Sequence, residues 1–137
     1  MNKNELVSLA LSARENSYSP YSGFKVGAAL LTKNGKVYKG CNIENGAFSP
    51  TNCAERTAVF KAVSEGERKF NAIAVVGCKI NEEVSEYITP CGVCRQVMME
   101  FCNPKIFKIV LADGKDKQME LTLEELFPHG FGPENLK

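Results

Sequence analysis

The sequence predicts an α/β protein with three layers, helices lying on both faces of a mixed sheet. Three observations carry that prediction. Segments with apolar residues at helical spacing alternate along the chain with short segments of strand character, in the order α-β-β-α-β-α-β-α. Two of the strands are joined across Lys33-Asn34-Gly35, whose Asn-Gly pair marks a tight hairpin. The stretch Ala72 to Cys78 is continuously apolar and of strand length, as a strand buried on both faces requires.

Each element follows in turn. Leu6, Leu9, Ala10 and Ala13 share one helical face, with Asn2 or Asn4 as candidate cap and an expected end near Ser17. Tyr18-Ser19-Pro20-Tyr21-Ser22-Gly23 then breaks the helix. Lys25 to Leu31 and Val37 to Cys41 form the hairpin strands. A second helix is expected from about Cys53 to Ser64, closed by Gly66, and the buried strand Ala72 to Cys78 follows. Lys79 to Thr89 is polar and reads as a surface loop. A third helix should start near Pro90, because proline suits a first helical turn, and run to about Cys102. Phe107 to Leu111 is a further buried strand ended by Asp113-Gly114. Leu121 to Phe127 reads as a short helix with Thr122 as cap, and Pro128 onward as a Gly/Pro-rich tail. No internal repeat or linker interrupts the 137 residues, so 1–137 is expected to be one domain.

The bulk properties narrow the function. Seventeen basic and 16 acidic side chains leave a formal charge of +1, which weakens the case for a nucleic-acid partner. No apolar run approaches the roughly 20 residues that span a bilayer, so no membrane association is expected. The first residues have helical spacing rather than the apolar core of a signal peptide, and a reducing, cytoplasmic setting is expected. Of the six cysteines, Cys41, Cys78 and Cys102 lie in apolar stretches and read as core. Cys53, Cys91 and Cys94 do not.

Those three accompany a carboxylate, in Cys53-Ala54-Glu55 and Pro90-Cys91-Gly92-Val93-Cys94. Three thiolates suit a zinc ion with one open coordination position, and Glu55 stands close enough to move protons there without being a ligand. Cys91 and Cys94, three apart, can chelate one ion from one helical face. Both motifs fall at expected helix N-termini, whose partial positive charge favours thiolates. A structural zinc would want a fourth protein ligand, and the only histidine, His129, is in the tail. A thioredoxin-like dithiol fits Cys-Gly-Val-Cys but leaves Cys53 and Glu55 unexplained. Small core cysteines are a third reading, though Pro-Cys-x-x-Cys is an uncommon core filler. The catalytic zinc uses all four residues. Three thiolates on Zn²⁺ give a net charge of −1, so positive charge is needed nearby, with Arg56 the first candidate and Arg95 the second.

A second pair concerns the substrate. Asn42 and Glu44, at the end of a strand, point to one face about 6.5 Å apart, where an amide and a carboxylate can together hold a hydroxyl. Solvated strand-end residues would look the same.

The chain resembles the small, homotetrameric type of zinc-dependent cytidine deaminase, within the cytidine/deoxycytidylate deaminase superfamily. The likeness is specific in residues 18–30, 42–48, 53–56 and 90–96, and it continues into Leu126-Phe127-Pro128-His129-Gly130-Phe131-Gly132-Pro133. It implies a mainly five-stranded mixed sheet, one zinc per subunit on Cys53, Cys91 and Cys94, and Glu55 as general acid/base. It implies hydrolysis of cytidine and 2′-deoxycytidine to uridine and 2′-deoxyuridine with release of ammonia, in pyrimidine salvage. Asn42 and Glu44 would hold the ribose, Ala54 the pyrimidine edge through its backbone, and Phe24 would line the pocket. Asn45 and Phe48, in the matched 42–48 stretch, complete that set with Phe131, the ring that closes over a neighbouring subunit's base. The resemblance thus implies a homotetramer with shared sites. The alternative is a deaminase of another small cytosine nucleoside, such as a nucleoside antibiotic. A non-catalytic zinc module would have no use for Glu55.

Overall fold

The computed structural model describes residues 1–114 and 116–137. A five-stranded sheet of order β2-β1-β3-β4-β5 is built from β1 (Phe24–Thr32), β2 (Val37–Cys41), β3 (Phe70–Lys79), β4 (Lys108–Ala112) and β5 (Gln118–Thr122). The β3–β4 pair is parallel, and the β1–β2, β1–β3 and β4–β5 pairs are antiparallel. A parallel pair needs a crossover, here supplied by the segment that carries α3 (Gly92–Phe101). The mixed α/β/α layering predicted above is therefore observed.

Alternation along the strands divides the core in two. Ala28, Leu30, Ile73, Val75, Ile109 and Leu111 face α2 (Ala54–Ser64), α3 and α4 (Leu123–Leu126). Ala29, Ala74, Val76, Val110 and Ala112 face Leu6, Val7 and Ala10 of α1 (Lys3–Arg14). At both helix–sheet contacts the meeting residues are small. A Cβ on Gly27 would lie 2.0 Å from the Ala10 carbonyl oxygen, and one on Gly40 2.4 Å from that of Ala54. Each helix therefore rests its backbone directly on the sheet, α1 on β1 and α2 on β2. Val84, from the polar 79–89 segment, is buried in the α1-side core. That segment is thus partly a cover for the sheet.

Several boundaries differ from the sequence reading. Asn2 is the cap of α1, accepting from the Glu5 amide at 2.8 Å, but the helix ends at Arg14 instead of running to Ser17. Gly35, at φ +90°, turns the expected hairpin. Pro90 precedes α3 instead of opening it, because Cys91 takes the cap position. The fifth strand, Gln118–Thr122, had no counterpart in the residue-by-residue reading. Thr122 ends that strand and caps α4 in a capping box with Glu125, so the last helix is only Leu123–Leu126. The tail carries a 3₁₀ turn of its own, Pro133–Leu136. Among the described residues, no helix is long and apolar enough to cross a membrane.

Candidate active site

The C-terminal ends of β2 and β3 and the start of β1 share one edge of the sheet, since Phe24 pairs with Lys79 and Gly27 with Cys41. Open α/β sheets bind ligands at such an edge. The N-termini of α2 and α3 converge beside it. Cys53 and Cys91 are the N-cap residues of these helices, and neither side chain makes a capping hydrogen bond, so both sulfurs are free for other work. Cys94 occupies the third position of α3. Cap and third-position side chains meet in a capping box, and the Cys91 and Cys94 sulfurs do so at 3.6 Å. Cys53 Sγ lies 3.8 Å from Cys91 Sγ, and all three sulfurs fall within 4.8 Å of one another.

These separations fit zinc. With Zn–S bonds near 2.3 Å and tetrahedral angles, neighbouring sulfurs stand about 3.8 Å apart. The capping-box spacing recurs in α2, where Arg56, three residues after Cys53, donates from Nη2 to Cys53 Sγ at 3.2 Å. Arg95 does something else. Its Nη1 donates to the Leu126 carbonyl at 2.6 Å and its guanidinium lies over the Phe127 ring, 5.6 Å from the centroid. Of the two candidate arginines, Arg56 touches the sulfurs and Arg95 ties α3 to the tail.

The electrostatics follow from these contacts. Cys53 is held down to about 5, chiefly by the hydrogen bond from Cys94, with the Arg56 bond and charge adding and burial opposing. Cys94 is pushed up by the same shared bond and by burial. One sulfur of the pair is thus a thiolate stabilised by its neighbour. Glu55, in the first turn of α2 and only 4% exposed, is raised to about 7. Burial is the main cause and the Cys53 charge adds to it, while Arg56 opposes. A carboxyl near neutrality can both accept and give a proton, as a shuttle must.

The sugar-side residues have more partners than their spacing foretold. Asn42 is buried, accepts on Oδ1 from the Val26 amide at 2.9 Å and the Ser17 hydroxyl, and donates to the Phe24 carbonyl at 2.8 Å. One amide hydrogen is left over. Glu44 accepts from the Tyr21 and Ser22 amides and the Ser22 hydroxyl, and that hydroxyl is the main cause of its lowered pKa. Both residues therefore also tie the end of β2 to the segment that starts β1. The Phe24 ring lies on Gly77, whose added Cβ would come within 3.1 Å of it. Asn45 spends its oxygen on the Ala47 amide at 2.9 Å and so shapes the loop.

Three expected residues differ in their setting. Ala54 is fully buried, its carbonyl against β2. Phe48 is 70% exposed, at φ +63°, with its ring edge-on to Tyr21 at 5.9 Å. Phe131 is 56% exposed, its carbonyl accepting from Gln96 of α3 at 2.8 Å. Neither ring is packed into the cysteine cluster of its own chain. Ser17 and Ser22 were not singled out from the sequence, and the signal available was two hydroxyls in the turn before β1.

Comparison with known proteins agrees with this geometry. Residues 1–110 match the family described as the cytidine and deoxycytidylate deaminase zinc-binding region. A cytidine deaminase of Sporosarcina psychrophila is 48% identical over 136 residues, covering 99% of this chain and 96% of that protein. The 1.6 Å crystal structure of the Burkholderia pseudomallei cytidine deaminase superposes with a TM-score of 0.87 at 46% identity, covering 96% of this chain and 100% of that one. A blasticidin-S deaminase of Bacillus cereus is more distant, 36% identical over 75% of this chain and 74% of its own length.

Proposed function

The chain belongs to the cytidine and deoxycytidylate deaminase family, and from that premise we propose that it hydrolyses cytidine and 2′-deoxycytidine to uridine and 2′-deoxyuridine. The observation that carries this reading is a buried carboxyl, Glu55 in the first turn of α2, beside three sulfurs at zinc-ligand spacing. Cys53, Cys91 and Cys94 would hold the metal. Zinc, when bound, supplies a Lewis acid that makes water nucleophilic near neutral pH.

The rest is work for the chain. Glu55 takes a proton from the attacking water and delivers it to N3, leaving C4 electrophilic. A C4–O bond forms, Glu55 then takes the proton of the new C4 hydroxyl and passes it to the amine, and the C4–N bond breaks, leaving the C4 carbonyl and releasing ammonia. Burial of Glu55 keeps bulk water from competing for that proton. Arg56 offsets sulfur charge through its bond to Cys53. The Ala54 backbone meets the pyrimidine edge, Phe24 lines the base, and Asn42 and Glu44 hold the sugar, with Asn45 and Phe48 shaping the adjoining loop.

The working unit in this proposal is a homotetramer of single-domain subunits in the cytoplasm. Phe48 and Phe131 are among the aromatic rings that stand exposed on the monomer, which an interface would relieve. Phe131 then closes over the base in a neighbouring subunit. Ultraviolet monitoring of cytidine and blasticidin S, with metal analysis of the same protein, tests the reading. Zinc-dependent cytidine turnover is expected, and zinc-loaded protein that spares cytidine while consuming the antibiotic would replace it with the alternative.

A further inference from the structure

We propose that Ser22 is a positioning residue that presets Glu44 to accept one sugar hydroxyl. This rests on the reading of Glu44 as a sugar anchor. Glu44 follows β2, yet the three hydrogen bonds that hold its carboxylate come from the turn before β1. The Tyr21 and Ser22 amides donate to Oε1 at 2.9 and 3.0 Å, and the Ser22 hydroxyl donates to Oε2. A carboxylate has about four acceptor sites, two on each oxygen. The two amides fill those of Oε1 and the hydroxyl takes one of Oε2, so a single site on Oε2 is left.

The direction of the Ser22 hydroxyl is itself fixed. Its oxygen accepts from the Phe24 amide at 3.0 Å, which commits its one proton to Glu44. Ser22 therefore joins the residue that lines the base to the residue that holds the sugar. Without it Oε2 has two open sites, and water takes the place that directs the remaining one toward substrate. Cytidine and 2′-deoxycytidine share only the 3′ and 5′ hydroxyls, so the group read by Glu44 is one of these.

The test uses the zinc-loaded protein, Ser22→Ala, Ser22→Thr and Glu44→Ala, with cytidine, 3′-deoxycytidine and 5′-deoxycytidine as substrates. The parent should lose kcat/KM on one deoxy analogue, which identifies the anchored hydroxyl. Ser22→Ala should raise KM for cytidine about tenfold with kcat nearly kept. It should leave the disfavoured analogue as the parent handles it, and Ser22→Thr should restore cytidine. If Ser22→Ala discriminates between the analogues as the parent does, the proposal is overturned. It is overturned equally if all substrates suffer alike, because Ser22 then acts through the turn and Phe24. Glu44→Ala that keeps the parent's discrimination removes the reading of Glu44 itself, a separate outcome. Should Ser22→Ala not fold, Ser22→Cys, a near-isosteric weak donor, is expected to give the same pattern at smaller amplitude, and parent-like discrimination by it overturns the proposal.

Discussion

Gly40→Ala isolates how the fold sets the zinc-ligand geometry. Gly40 pairs with Ala28 in the sheet, and an added Cβ would lie 2.4 Å from the Ala54 carbonyl oxygen and 2.5 Å from the Ala58 nitrogen. Carbon and carbonyl oxygen meet at about 3.3 Å, so α2 must withdraw by about 1 Å. Both obstacles are helix backbone and cannot rotate aside. Ala54 adjoins Cys53 and Glu55, so these move while Cys91 and Cys94, on α3, stay. A sulfur separation of 3.8 Å opened by that much no longer suits one tetrahedral ion. Overpacking of this kind costs about 1–3 kcal/mol, or a fall in Tm of roughly 4–12 °C. A 1 Å misplacement at a site costs about 100-fold in rate. Zinc content, thermal denaturation and kcat/KM on cytidine should all fall together. Gly27→Ala is the control, since its Cβ would strike Ala10 and Arg14 of α1, which carries no ligand. It should lower Tm comparably and change kcat/KM per bound zinc far less. Parent-like zinc content and kcat/KM in Gly40→Ala, or equal chemical damage from Gly27→Ala, would refute the reasoning.

Three further outcomes follow from the contacts. Asn42→Ala should lower Tm as well as impair turnover, because it unties Phe24, Val26 and Ser17; a variant with normal stability and poor turnover would limit Asn42 to the sugar. Arg56→Gln removes a hydrogen bond and a charge that lower the Cys53 pKa, so thiolate absorbance in the metal-free variant should titrate at higher pH than in the parent. Zinc affinity at pH 6 should fall with it, since protons compete for the ligand, and an unmoved titration would make Arg56 a packing residue. Truncation before Pro128 should raise KM sharply while leaving zinc in place, and light scattering of the full chain should give a tetramer; a monomer with full activity would end the shared-site reading.

The sheet core was legible because its signals are local. The Asn34-Gly35 turn between two short strand segments and the unbroken apolar run through Ile73–Val76 each report a backbone state directly. Gln118–Thr122 alternates polar and apolar residues as an edge strand should, but the sequence reading gives Leu121 and Thr122 to the following helix, which leaves only three residues to signal the strand. The metal-ligand spacing was also legible, since cap and third-position cysteines meet through helix geometry alone. What spacing could not give was the division of labour between Arg56 and Arg95. Each adjoins a cysteine motif, but only Arg56 stands three residues after an N-cap cysteine, whereas Arg95 faces Phe127, 32 residues away in sequence. The hydroxyls of Ser17 and Ser22 were hidden for the same reason. Their partners, Asn42 and Glu44, are brought to them by the pairing of β1 with β2.

The measurement that bears most directly on the central claim is cytidine turnover against zinc content, in the parent and in Glu55→Gln. Metal-free parent is titrated with zinc while ammonia release is followed. Turnover should rise linearly and stop rising at one zinc per chain. Glu55→Gln should take up the same zinc and lose several orders of magnitude in kcat, because the shuttle is gone while the sulfurs are intact. Turnover by metal-free protein, or a loss of only about tenfold in zinc-loaded Glu55→Gln, would contradict the account.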